Sequence, residues 1–174
     1  LRILEKYIDE VTPYTILRLV IKQFKYLIYI YIFGSVFAII MCPSIGLATL
    51  LFNINFIFLL GIILSVTLHE YGHVYMVKKL SSIDKIKIII KMNSFSIVPI
   101  GQTSGKKTIL IALCGPGICA LIGLGLVLIG KYLNSLIIVI TGGFYLIHVI
   151  DIIPLFGDGK MIIKGIIDCL FNNK

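Results

Sequence analysis

The sequence is short of charge. Asp, Glu, Lys and Arg make up 14% of its 174 residues, while apolar residues reach 59%, well above the roughly 45–50% of soluble domains. So few charges cannot cover a water-soluble surface of this size, and a mean hydropathy of +1.06 places the chain in a bilayer. The four cysteines, Cys42, Cys114, Cys119 and Cys169, contain no Cys-x-x-Cys and sit mostly in apolar runs. A disulfide framework is therefore not expected, and they are read as small buried hydrophobes. Internal repeats and low-complexity segments are missing, and no cleavable signal peptide is visible at the N-terminus.

Acidic residues are scarcer than basic ones, eight against sixteen, for a net charge of +8. On a soluble protein that excess would point to nucleic acid. Here the basic residues fall between apolar stretches, as the positive-inside rule predicts, and nucleic acid is not expected as a partner. A hydrocarbon core about 30 Å thick takes around 20 helical residues to cross. Four stretches qualify: about 25–41, about 53 or 55 to 80, about 108–130, and 133–153. Residues 44–52 are apolar too, and form either a short re-entrant turn or an extension of the second span. With the N-terminus in the cytosol, fifteen Lys and Arg face the cytosol and only Lys131 faces outward. The expected fold is an all-α polytopic membrane protein, one domain over 1–174, in the cell membrane. The abundance of Ile, Lys and Asn points to a bacterial cytoplasmic membrane.

Two segments depart from plain spans. Within 81–107, Lys85 to Lys91 alternates partly with period two and is rich in β-branched residues, Asn93-Ser94 offers a turn, and Phe95 to Ile100 returns. This predicts a short β-hairpin at or dipping into the membrane surface. Residues 1–24 form a cytosolic or interfacial segment. Within it 1–15 is expected as interfacial helix or frayed tail, and 3–22 suits a helix lying on the membrane surface.

Chemistry concentrates at His69-Glu70-Tyr71-Gly72-His73. On a helix, residues four apart share a face, so both imidazoles can reach one metal ion, and Glu70 is placed to take a proton from water. Ionisable groups in an apolar segment are costly and by default functional; the bland alternative leaves them among headgroups at the helix end. A catalytic zinc usually has three protein ligands, and Asp151, Asp158, His148 and Asp168 are the candidates for the third. Segment 151–160, with Pro154, Gly157 and Gly159, closes the fourth span where a helix would unwind. Spans two and four end on the same side, so it shares the depth of the histidines. His148, three residues before Asp151, is a candidate outer partner of that carboxylate or of a ligand. Ser65 and Thr67 are read as helix-packing hydroxyls. Gly115, Gly117, Gly123, Gly125, Gly142 and Gly143 are read as sites of close helix approach.

His-Glu-x-x-His on one span, Gly115-Pro116 in the next and a Pro-containing segment ending in Asp158-Gly159 resemble the site-2 protease family of intramembrane zinc metalloproteases. The likeness covers roughly residues 53–165, and small bacterial members process sporulation sigma factors or regulatory peptides. It implies zinc held by His69, His73 and Asp158, Glu70 as catalytic base, and Gly115 and Pro116 beside the site. The implied substrate is a membrane protein or membrane-bound peptide. The family's last motif commonly opens with Asn and closes with Asp-Gly-Gly; here Asp151 and Lys160 stand at those places. Pro154 is one residue closer to Asp158 than usual, and Cys119 and Ala120 lie where the family has an Asn. There is no room for the PDZ or nucleotide-sensing domains that some members carry, so a regulatory membrane partner is expected. The competing readings are an inactive membrane scaffold that kept the architecture and a metal transporter. Glu70 argues against the scaffold, and the lack of repeated halves argues against the transporter.

Overall fold

A computed structural model describes residues 2–80, 83, 85–91, 94–101 and 103–171. Strand β1 (Arg2–Tyr7) and a 3-10 turn (Ile8–Glu10) lead into helix α1 (Pro13–Met41). Thr12 caps α1, its side chain accepting from the Thr15 N–H with proline at the first helical position, a pairing that suits a helix start. Helix α2 (Ile45–Phe56), capped by Ser44, continues through a π-helical segment (Ile57–Ile63) into α3 (Leu64–Leu80). Strands β2 (Lys85–Lys91) and β3 (Ser94–Pro99) come next, then α4 (Gly105–Tyr132), α5 (Leu136–Ile147), a 3-10 turn (His148–Ile152) and α6 (Gly157–Phe171). Among the described residues, four helical stretches are long and apolar enough to cross a membrane: Pro13–Met41, Ile45–Leu80, Gly105–Tyr132 and Leu136–Phe171. The chain is thus a multi-pass membrane protein, all-α apart from one small sheet.

Residues 45–52 belong to the second span, which is a single helical run of 36 residues capped by Ser44. The N-terminal expectation needs correction. Residues 2–7 are neither interfacial helix nor tail; they pair antiparallel with β2, Leu4 opposite Ile88 and Lys6 opposite Ile86. The sheet therefore has three strands in the order β1-β2-β3, with β2 in the centre. The partner of β1 lies some eighty residues away, and Ile86–Ile90 supplies the apolar strand that a short N-terminal segment can join. The turn expected at Asn93-Ser94 falls partly outside the described residues.

Period-two alternation does the work expected of it in β2. Ile86 and Ile88 are fully buried while Lys85 is exposed. They join Ile8, Val11, Ile16, Val20, Val74 and Val77 in the core that fastens the sheet beneath α3. Helix α4 is the hub of the bundle, packed on α3, α5 and α6. Its inward stripe is made of small residues: Ala112, Gly115, Cys119 and Gly123. Small side chains let helices approach closely where lipid removes the hydrophobic drive between them. A Cβ on Gly115, Gly123 or Gly142 would meet a neighbouring helix at under 3 Å, whereas Gly117, Gly125 and Gly143 have open space around them. Half of that glycine set therefore serves close approach.

Candidate metal centre

Helix α3 buries Ser65, Thr67, His69, Glu70, Gly72 and His73 inside the bundle. The preceding wide turn helps to set this face: the Leu64 N–H reaches Leu59 O, five residues back, and such a bulge rotates the next turns of helix away from their regular register. Gly72 then lets α4 close in, since a Cβ there would lie 2.9 Å from Gly115 Cα. Across that contact a Cβ on Gly115 would lie 2.5 Å from His73 Nε2. Gly115 is therefore the space in which the His73 ring sits. Pro116 is buried next to it and, lacking an N–H, cannot donate to the carbonyl of Ala112. One residue earlier, the Ile111 carbonyl accepts a hydrogen bond from His73 Nδ1 at 2.8 Å. A carbonyl only accepts, so the His73 proton is on Nδ1 and its lone pair is on Nε2.

That lone pair faces two other atoms able to ligate a metal ion. His73 Nε2 is 3.2 Å from His69 Nε2 and 3.4 Å from Asp158 Oδ1, and His69 Nε2 is 3.1 Å from Asp158 Oδ2. Tetrahedral zinc with ligand bonds of about 2.0–2.1 Å separates its donor atoms by about 3.3 Å. The three side chains thus stand at the spacing of one metal ion's ligands without needing to move. Such a set of carboxylate and imidazoles suits zinc or a similar divalent ion.

Asp158 gets there through an interruption of the helix. The 3-10 turn His148–Ile152 ends in Ile153-Pro154, the Phe156 N–H returns to Ile153 O, and α6 starts at Gly157 with Asp158 in its first turn. Gly159 lies directly over this turn, where a Cβ would overlap the Ile153 carbonyl. Glycine next to the aspartate is what lets α6 begin close enough for Asp158 to reach the histidines.

Asp151 stands one layer out. Its Oδ2 is 3.9 Å from His69 Nδ1 and accepts from His148 Nδ1 at 3.1 Å. The His148 ring stacks on His69 at 4.5 Å, and His148 Nε2 lies 3.3 Å from Ser65 Oγ. His148 thus touches both the carboxylate and a histidine of the triad. Asp168 lies at the other end of α6, lining a cavity with Gly105 and Lys164. Tyr71 packs on the core above the sheet. Ser65 and Thr67 bond back to the carbonyls of Ile62 and Ile63, as helix hydroxyls do.

Glu70 is buried, and its carboxylate accepts a hydrogen bond from the backbone of Ile97 on β3. Sheet geometry explains why that N–H is free to do so. The Ile100 N–H donates to Lys85 O, and bonding alternates along an antiparallel strand, so the N–H groups of Ile97 and Phe95 point away from β2. Pro99, which has none, falls on the same outer parity and costs the ladder nothing. The outer edge of β3 therefore runs past Glu70.

One participant escaped the sequence reading. Cys119 is fully buried, as a small hydrophobe would be, but its sulfur donates to Ser65 O at 3.4 Å. It groups with His69 and His148 as a possible ligand set. Its position four residues after Gly115, on the same face of α4, was the available signal. Comparison with family models, with curated proteins and with solved structures finds no significant match.

Proposed function

We propose that this chain is an intramembrane zinc metalloprotease, similar to the site-2 protease family, which hydrolyses a peptide bond in or near the membrane-spanning segment of its substrate. The observation that carries the reading is the spacing of His69, His73 and Asp158, with donor atoms 3.1–3.4 Å apart and the Glu70 carboxylate buried beside them. When bound, the ion supplies Lewis acidity, acidifying water and polarising the scissile carbonyl. Glu70 takes the proton of the attacking water and returns it to the leaving amine. The Ile97 N–H holds the carboxylate in place between the two transfers. The Asp158 and Asp151 side chains keep 20% and 34% of their exposure, which gives water an approach from the α6 side. The lysine distribution supports placing this end of the bundle at the cytosolic face of a bacterial cell membrane.

The decisive experiment combines metal analysis with cleavage of a single-span membrane substrate in liposomes. Wild type is expected to carry about one zinc per chain and to cleave. Asp158→Asn is expected to bind zinc at least about 10–100-fold more weakly and to be inactive, whereas Asp151→Asn keeps its metal. A wild type without metal would overturn the reading; loss of zinc in Asp151→Asn alone would move the third ligand to that residue.

A substrate helix hides its backbone in internal hydrogen bonds, so the segment to be cut must be held extended. The outer edge of β3 is the surface for this, by strand addition. Strand β2, being central, is not that edge, and proline at Ile86–Ile90 would break the sheet rather than test substrate binding. Phe95→Pro removes an outward N–H while sparing the ladder. It is expected to lower kcat/KM about 2- to 10-fold relative to Phe95→Ala, the worth of a hydrogen bond of about 0.5–1.5 kcal/mol. Equal rates for the two variants would remove β3 from substrate binding.

A further inference from the structure

Beside the proposed zinc triad lies a second set of metal-binding side chains, composed of His69, His148 and Cys119. One donor atom from each lies within 4.8 Å of the others. Sulfur and nitrogen on one tetrahedral zinc stand about 3.6 Å apart, a spacing that small rotations of these side chains reach. Cys119 Sγ and His148 Nε2 converge on the same residue, the first 3.4 Å from Ser65 O and the second 3.3 Å from Ser65 Oγ. His148 gives its Nδ1 proton to Asp151, which leaves its lone pair on Nε2, the nitrogen turned toward Ser65. His69 is 6% exposed, and its Nδ1 is a buried atom with no hydrogen-bond partner among the described residues. Buried polar atoms without partners are rare and call for an explanation.

We propose that His69, His148 and Cys119 form a second metal site, selective for thiophilic ions such as cadmium or copper(I), which is filled in alternation with the His69–His73–Asp158 triad. Alternation follows from the shared residue. A neutral imidazole has one lone pair, so His69 serves one ion at a time. Selectivity follows from the donors: thiolate favours soft ions, while carboxylate suits harder ones. Cys119 releases its thiol proton to solvent as the ion binds, because the thiolate is the ligand. A soft ion at the second set withdraws His69 from the first. In this one consequence, inhibition of cleavage, the inference rests on the protease reading; the site itself does not.

Cadmium titration of the zinc-free, detergent-purified chain, followed by the ultraviolet thiolate-to-cadmium band and by equilibrium dialysis, tests the site without any substrate. One cadmium per chain, with the band developing in step, is expected. Cys119→Ser should lose the band while still binding zinc, which shows that it is folded. Replacement of the exposed Cys42 should leave the band intact. His73→Ala, which breaks only the first set, should keep it, and His148→Ala should weaken cadmium about 10-fold or more, at least the cost of losing an outer partner. No band, a band that survives Cys119→Ser, or a band lost in His73→Ala would overturn the second site. Two tightly bound cadmium ions per chain would overturn the alternation. Should the wild type prove to have no protease activity, these outcomes still decide the site.

Discussion

Glu70→Gln is expected to lower the rate of peptide hydrolysis by roughly 10²–10⁴-fold while the zinc content stays at the wild-type level. The two halves of that expectation rest on different contacts. Glu70 is absent from the donor set, which consists of His69, His73 and Asp158, so its charge is not needed to hold the ion. The amide of glutamine still presents an oxygen to the Ile97 N–H, so the junction of α3 with β3 stays paired. What glutamine cannot do is accept the proton of water and pass it on. Glu70→Ala would be a poorer experiment, because it leaves the Ile97 N–H without its acceptor, at a cost of about 1–3 kcal/mol, and mixes a structural loss with a chemical one. Single-turnover cleavage beside metal analysis separates the cases. Unchanged turnover in Glu70→Gln would deny Glu70 the role of base, and loss of zinc would make it a ligand or a support of one. A non-catalytic scaffold would show no turnover in either protein.

How far this arrangement was legible in the sequence depended on the range of the contacts involved. The spacing of His69 and His73 is local: four residues on a helix determine a shared face, and the structure has them there, Nε2 to Nε2. The four spans were equally legible, because each is a long apolar run whose burial in lipid needs no knowledge of its neighbours. Lys85–Lys91 announced itself as a strand by alternation, but its partners did not. β1 carries only six residues, with charges at Arg2, Glu5 and Lys6, too weak a pattern to predict a strand until β2 is there to pair with it. Whether β2 was an edge or a centre hung on that missing strand, and the choice of edge beside Glu70 hung on it in turn. Asp158 and Asp151 could not be separated by spacing alone. What separates them is the reversal at Ile153–Phe156, which turns one toward both Nε2 atoms and leaves the other 3.9 Å from His69 Nδ1. The nearness of Cys119 to His69 and His148 likewise depends on α4 packing against α3 and on where the 3-10 turn places His148.

Gly159→Ala is expected to damage the centre about as much as loss of the Asp158 carboxylate, although residue 159 supplies no ligand. A Cβ at this position would overlap the carbonyl carbon and oxygen of Ile153 and lie 2.6 Å from Ile152 O. These are backbone atoms of the turn itself, held by Ile153 N to Ile150 O and Phe156 N to Ile153 O. No flexible side chain can move aside, so either the turn opens or α6 begins further away. Overpacking of this kind costs about 1–3 kcal/mol, but the larger effect falls on geometry. Asp158 is adjacent and must keep both oxygens within 3.1–3.4 Å of two imidazoles. A displacement of about 1 Å can cost roughly 100-fold in rate, and zinc affinity should fall by at least about 10–100-fold. Gly157→Ala is the matched control: it lies two residues earlier on the same helix, has no atom within 4 Å of the added Cβ, and should keep both zinc and activity. A chelator-competition titration of the two variants makes the comparison. Wild-type zinc affinity in Gly159→Ala would mean that α6 need not approach Ile153 so closely, and that the third ligand does not depend on this turn. Equal losses in both variants would point to the start of α6 as a whole rather than to the one contact at Gly159.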